Sequence, residues 1–296
     1  MGRSVKEIKG LIPPMVTAFT KQGELYEKGI KETIDFLVPH VDGLFVCGTY
    51  GGGLMMTMEQ RMKAAEIIVD HTAGRVPVIV QVGTIDTASA VKLSKHAESI
   101  GADAVASIAP YYYTFTEQEL FEYFKAMVDA VKIPAFAYNN PKTSNNPLSA
   151  KLISDLAEIG LAGLKDSSFD LVTFYKFKDT IKKEGFKLIV GTEAIMFAAL
   201  MSGAAGVVAG AANVYPERVK ALYKAVESKN FVEASKLQAE ALAIREAIKL
   251  GPTVAICHEV LKMRGVDAGY PRAPFLEIDD AMKAKVKKAF EKLNLM

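Results

Sequence analysis

The feature that most constrains this chain is an eightfold alternation. Short apolar runs at 10–19, 41–48, 76–83, 102–110, 133–139, 162–165, 186–191 and 206–210 read as strands. Segments with helical spacing separate them, at 26–38, 58–71, 87–100, 116–131, 148–159, 171–183 and 193–201, and 216–226 follows the last. Apolar runs bounded by turn residues are buried strands, and 3.6-residue periodicity between them supplies crossover helices. Thr57 stands as a cap before 58–71, and Thr116 followed by Glu119 is a capping-box pattern. Repeated strand–helix units build a parallel sheet, and eight of them close into a (β/α)8 barrel. The competing open, doubly wound sheet would carry a glycine-rich fingerprint after strand one. The chain has Thr17-Ala-Phe-Thr-Lys-Gln-Gly23 there instead. After residue 229 only helical patterns remain, at 230–250, 252–263 and 279–295. The expected organisation is a barrel over 1–229 and a helical region over 230–296, packed on the barrel or engaged in a subunit contact.

A length of 296 residues suits one α/β barrel. Net charge is +2, which gives no field directed at nucleic acid or acidic membranes. The lysines of 283–292 read as the solvated face of a last helix. Cys47 and Cys257 form no disulfide framework, and Cys47, in an apolar run, reads as a small core residue. With no signal peptide and no 18-residue apolar run, the expectation is a soluble cytoplasmic protein.

Barrel enzymes place their chemistry at the carboxyl ends of the strands. Lys165 ends strand six, within Leu161-Ala-Gly-Leu-Lys-Asp-Ser-Ser168. A lysine there either reaches water, pairs with Asp166, or is buried with a depressed pKa, as an amine nucleophile requires. Most lysines are exposed, so alone it favours the first two. Its company reverses that weighting: Thr17, the loop Gly48-Thr-Tyr-Gly-Gly-Gly53, Pro110-Tyr-Tyr-Tyr113, Tyr138-Asn-Asn-Pro141, Gly191-Thr-Glu193 and Gly210-Ala-Ala-Asn213 converge on the same face. A tyrosine beside a lysine can move protons, and glycines let main-chain N–H groups approach an anion. The four histidines, His40, His71, His96 and His258, fall in or at the ends of helical segments, away from that face. The expected chemistry therefore uses an amine, hydroxyls and main-chain amides, with no metal and no separate cofactor.

These motifs resemble the dihydrodipicolinate synthase / N-acetylneuraminate lyase family of pyruvate-dependent class I aldolases, in matching order over nearly the whole chain. Gly48-Thr-Tyr-Gly51 is similar to its Gly-Thr/Ser-Thr-Gly loop, Pro110-Tyr-Tyr112 to its Pro-Tyr-Tyr, and Tyr138-Asn-Asn-Pro141 to its Tyr-Asn-x-Pro. Gly163-Leu-Lys-Asp-Ser167 is similar to its Gly-x-Lys-Asp/Glu-Ser/Thr, and the stretch from Gly206 to Asn213 to its strand-eight motif. The resemblance implies a TIM barrel with a C-terminal helical part, assembled as a homotetramer of two dimers. It implies that Lys165 forms a Schiff base with a 2-oxo acid and that Tyr138 is the acid/base. Thr49, Tyr50 and Gly51 take the pyruvate carboxylate positions, and Tyr112 that of a tyrosine lent across the tight dimer interface. Thr143, Gly191, Glu193 and Val208 line the substrate side.

The departures bear on the substrate. The loop's second Thr is Tyr50, its following Glu is Gly52, and Asn145 replaces a Gly. The arginine that dihydrodipicolinate synthases carry five positions after the tyrosine is Thr143, beside Lys142; lysine does not reproduce arginine's bidentate geometry. That disfavours the lysine-biosynthesis reaction. The tyrosine run and Gly269-Tyr-Pro-Arg272 are similar to archaeal-type 2-keto-3-deoxygluconate aldolases. The leading expectation is therefore cleavage of a 2-keto-3-deoxy sugar acid to pyruvate and an aldehyde. N-acetylneuraminate lyase and aromatic hydratase-aldolase activities stay open, the latter through Tyr50. So do a non-catalytic 2-oxo-acid-binding barrel and a phosphate-binding barrel of another class.

Overall fold

The computed structural model describes residues 7–296. In chain order, β1 (Gly10–Ile12) leads to α1 (Glu27–Leu37), β2 (Leu44–Val46) to α2 (Met58–Thr72), β3 (Val78–Gln81) to α3 (Thr87–Ser99), and β4 (Ala104–Ile108) to α4 (Glu117–Ala130). β5 (Ala135–Asn139) is followed by a one-turn α5 (Pro141–Ser144) and by α6 (Ala150–Glu158). β6 (Gly163–Asp166) precedes α7 (Leu171–Thr180), β7 (Lys187–Val190) precedes α8 (Met196–Met201), and β8 (Gly206–Val208) precedes α9 (Pro216–Glu227). The remainder is α10 (Phe231–Ile248), α11 (Thr253–Met263) and α12 (Asp280–Glu291).

All seven strand pairings are parallel, in the order β1-β8-β7-β6-β5-β4-β3-β2. The seam between β1 and β2 closes through a Pro14–Phe45 bridge, with Phe45 N–H donating to Pro13 O (3.0 Å) and Met15 N–H to Phe45 O (2.9 Å). This is the TIM barrel with a C-terminal helical extension that the alternation predicts. Strand one is shorter than its apolar run because Pro13 and Pro14 have no N–H to donate, so the ladder with β8 stops at Ile12. Both anticipated caps form. Thr57 with Gln60 and Thr116 with Glu119 make reciprocal capping boxes, worth about 1 kcal/mol each. The α12 segment buries Val286 and Phe290, while its lysines face outward.

Side chains alternate across the barrel wall. Leu164 faces out into the layer between sheet and helices. Gly163 and Lys165 face in, towards Ile12, Phe45, Ile79, Phe136, Tyr138 and Val208. A Cβ on Gly163 would strike the Phe136 ring, so the absence of one lets that ring fill the layer beneath Lys165. Helix α10 is pinned to the carboxyl face of the barrel by Gln238, whose Nε2 donates to Glu193 O (2.8 Å) and whose Oε1 accepts from Phe197 N–H (2.9 Å). Among the described residues no helix is long and apolar enough to cross a membrane.

Candidate active site

Lys165 and Tyr138 are partners in the β5–β6 register, so both side chains rise from adjacent strand ends on the inner face. Lys165 is only 4% exposed. Its Nζ lies 3.7 Å from the centroid of the Tyr138 ring and 3.8 Å from that of Phe45, and these two rings meet edge to face. Asp166 does not pair with it. That carboxylate points outward and accepts from Asn139 Nδ2 (2.7 Å), Ser168 Oγ (2.7 Å) and Ser168 N–H (3.2 Å). Burial pushes its pKa up against those bonds. Lys165 is thus a buried amine without a carboxylate. Burial lowers its pKa below the usual lysine range, and Tyr138 opposes this only in part.

Tyr138 shows the reverse balance. Burial raises its pKa, but the Lys165 charge and the hydrogen-bonding groups of Thr49, Ser167 and Lys165 outweigh it, leaving a tyrosine more acidic than usual. Asn140 Nδ2 also donates to its hydroxyl (3.0 Å). Both groups thus hold their protons less tightly than usual.

The pair lies in a cavity of about 260 Å³ at the carboxyl end of the barrel. Thr49, Tyr50, Thr143, Gly191, Glu193 and Val208 line it. The main-chain N–H groups of Thr49, Tyr50 and Gly51 donate to no group among the described residues, so the loop after β2 presents unsatisfied donors. Gly51 itself lies behind the wall, against Met15 O and Thr17 Oγ1. Thr143 turns its hydroxyl back to Asn140 O (3.2 Å), closing α5. Glu193 is buried; its Oε2 accepts from Gly210 N–H (2.9 Å) and its Oε1 lies 3.6 Å from Arg245 Nε. Tyr112 departs from the rest. It is 79% exposed, has φ +80°, stacks edge to face on Tyr113 and is not part of the cavity wall in its own chain.

Sequence reasoning did not anticipate Arg245 and Lys249, which reach the cavity from α10 and the residue after it. Their i,i+4 spacing is the one signal that could have paired them. Phe169, with Arg245 and Lys249 over its ring, and Ser167 and Thr192 also line the cavity. The histidines stand elsewhere: His71 pairs with Asp35, His96 with Glu66, and His258 is buried against Ala268 O with its pKa pushed down to about 4. Cys47 and Cys257 are buried, and burial pushes the Cys47 thiol up to about 11. Among the described residues no three His, Cys, Asp or Glu side chains are grouped to hold a metal ion.

An amine that holds its proton loosely inside a barrel mouth can add to a carbonyl, and an acidic phenol beside it can carry the protons that addition releases, which is chemistry suited to Schiff-base formation. Residues 7–293 match the model of the dihydrodipicolinate synthetase family, and the chain belongs to that family. It is a carbon–carbon lyase of the pyruvate-dependent, Schiff-base-forming kind. The 4-hydroxy-tetrahydrodipicolinate synthase of Methanopyrus kandleri is 30% identical over 98% of both chains. The probable 2-dehydro-3-deoxy-D-pentonate aldolase YjhH of Escherichia coli is 30% identical over 95% of this chain and 96% of its own. Among solved structures, YagE from E. coli K12, in complex with pyruvate, superposes with a TM-score of 0.94 at 29% identity, covering 97% of this chain and 99% of YagE.

Proposed function

We propose that this enzyme reversibly cleaves a 2-keto-3-deoxy sugar acid to pyruvate and an aldehyde, with Lys165 as the imine-forming amine and Tyr138 as acid/base. The observation that carries the reading is the Lys165–Tyr138 contact, an amine of depressed pKa against a phenol of lowered pKa. Neutral Lys165 attacks the C2 carbonyl, and loss of water leaves a protonated imine. Tyr138 takes the C4 hydroxyl proton, the C3–C4 bond breaks, and its electrons pass into the imine to give an enamine and the free aldehyde. Protonation at C3 and addition of water release pyruvate and regenerate the amine. The free N–H groups of Thr49 and Tyr50, which line the cavity, suit the pyruvate carboxylate, since strand-end main-chain donors bind anions without a charged side chain. The covalent imine serves in place of a separate cofactor.

A second reading is condensation of pyruvate onto an acceptor bearing its own carboxylate. Thr143 offers no cation, but Arg245, Lys249 and Lys142 line the same cavity. Borohydride reduction with pyruvate, read by peptide mass, tests the chemistry common to both: the expected result is an adduct on Lys165, and a folded protein without one refutes both. A panel of aldehydes with pyruvate then separates sugar-type acceptors from aspartate semialdehyde. We also read the enzyme as a cytoplasmic homotetramer in which Tyr112, exposed on its own chain, completes the partner's site; a monomer by sedimentation, active at full rate, refutes that.

A further inference from the structure

Tyr50 stands at the loop position where the resembled family carries a second threonine, and its own hydroxyl lies against Gly210. A Cβ built on Gly210 falls on the Tyr50 hydroxyl and only 2.7 Å from its Cζ. The side chain therefore crosses the mouth from β2 towards the end of β8 and occupies the space that any residue but glycine would fill. Gly210 in turn donates its N–H to Glu193 Oε2. Burial is the largest influence on Tyr50, followed by the charges of Cys257, Glu193, Arg245 and Tyr138. The steric observation places the hydroxyl over Gly210, whose N–H serves Glu193, and Glu193 and Arg245 are among the charges that act on it.

No group among the described residues hydrogen-bonds the Tyr50 hydroxyl, although the side chain lines the cavity and packs against the core. Tyr50 is half-buried and its hydroxyl opens into the cavity, so water or a ligand group must supply its hydrogen bond. Next to it, Glu193 has one oxygen accepting from Gly210 N–H and the other turned towards Arg245, with the main-chain N–H groups of Glu193 and Ala211 also acting on the carboxylate. A ligand hydroxyl suits this place because it can accept from a phenol and donate to a carboxylate at once. An apolar chain would leave the phenol unsatisfied.

We propose that Tyr50 is a specificity-determining residue whose hydroxyl, held over Gly210 beside Glu193, selects aldehydes that carry a hydroxyl group. This rests on the aldolase reading above. It also moves the carboxylate-binding duty of the loop from the second side chain to the main-chain N–H groups.

The test is condensation with pyruvate, comparing glyceraldehyde with propanal, which has the same carbon count and no hydroxyl. Wild-type enzyme is expected to prefer glyceraldehyde in kcat/KM. Tyr50→Phe, which removes one oxygen and nothing else, is expected to lower that preference by about 10-fold or more, through KM for glyceraldehyde. An unchanged preference in Tyr50→Phe, or a wild-type enzyme that traps pyruvate but does not prefer glyceraldehyde, overturns the proposal and leaves the aldolase reading intact. Absence of any pyruvate adduct in wild type refutes the aldolase reading itself. The placement has its own check. Gly210→Ala should displace the tyrosine and lose the preference, and adding Tyr50→Thr, which removes the clash, should leave pyruvate trapping in place without restoring the preference. A Gly210→Ala enzyme that keeps the full wild-type preference shows that the hydroxyl does not stand over that glycine.

Discussion

Replacing Lys165 by methionine should abolish imine formation and make the protein more stable. Methionine has nearly the same length and fills the same slot between the Phe45 and Tyr138 rings, so the packing is kept and the charge is lost. Opposing effects compete in the wild type, and among those that favour the ammonium are the charge and hydrogen bond of the Tyr138 hydroxyl. Cation–π contact with the two rings, at 3.8 and 3.7 Å, favours the ammonium by roughly 0.5–2 kcal/mol. Desolvation of an amine with no carboxylate partner disfavours it by several kcal/mol. The lowered pKa of Lys165 says that desolvation wins. The sign of the pH dependence follows. The unfolded amine holds its proton up to its ordinary pKa of 10.5, whereas the folded one releases it earlier. Between those two values the unfolded state binds more protons, so wild-type stability rises with pH and levels off above 10.5. Each unit of depression corresponds to about 1.4 kcal/mol of burden below the folded pKa, and 1 kcal/mol shifts Tm by about 2 °C in a chain of this size. Differential scanning calorimetry at fixed protein concentration, from pH 6 to 10, should show Lys165→Met melting above wild type at low pH, with the gap closing as pH rises. A variant that melts lower throughout, or a gap that does not change with pH, would refute the reasoning.

Tyr138→Phe should keep the ring that packs on Phe45 and Lys165 but lower kcat by about 10²–10⁴ in steady-state assays, while pyruvate is still trapped on Lys165. Asp166→Ala should destabilise by about 2–4 kcal/mol in denaturant titrations, because it strands the Asn139 amide and the Ser168 N–H in a buried corner. In the wild type, the raised Asp166 pKa adds stability below the ordinary carboxylate value of 3.8 that is lost as pH rises through the folded value, so the variant should remove that part of the acid-side profile. Arg245→Ala should cost about 1–3 kcal/mol by the same titration. That is less than a tight buried pair, because Glu193 keeps its bond from Gly210 N–H and the ion pair is 3.6 Å long.

The barrel was legible because its signal is local. Each strand is a short apolar run between turn residues, and each crossover helix declares its own period. Thr57 and Thr116 marked helix starts for the same reason: a cap and its partner lie three residues apart. What failed also failed locally. The ten-residue apolar run at 10–19 hid a three-residue strand, because burial persists through Pro13 and Pro14 while the ladder cannot. The helix read at 148–159 begins later, at Ala150 with Ser149 as its cap, and an additional turn, Pro141–Ser144, ends at Asn145 with φ +59°. Asparagine tolerates that left-handed conformation where a branched residue would not.

The site divides along the same line. Lys165 and Tyr138 could be found because strand ends in a barrel must converge, and alternation decides which of Lys165 and Asp166 faces in; the outward turn of Asp166 is what leaves the lysine unpaired. Arg245 and Lys249 could not, because nothing within α10 says which of its faces meets the barrel mouth. That is fixed by Gln238, gripping Glu193 O and Phe197 N–H from a distance of more than 40 residues along the chain. The direction of Tyr50 depends likewise on a glycine 160 positions later. Reaction chemistry in this fold therefore rests on strand-end residues that a reader of sequence can place. The proposed choice of aldehyde involves side chains from α10 and across the β2–β8 gap, whose positions are set only when the barrel closes.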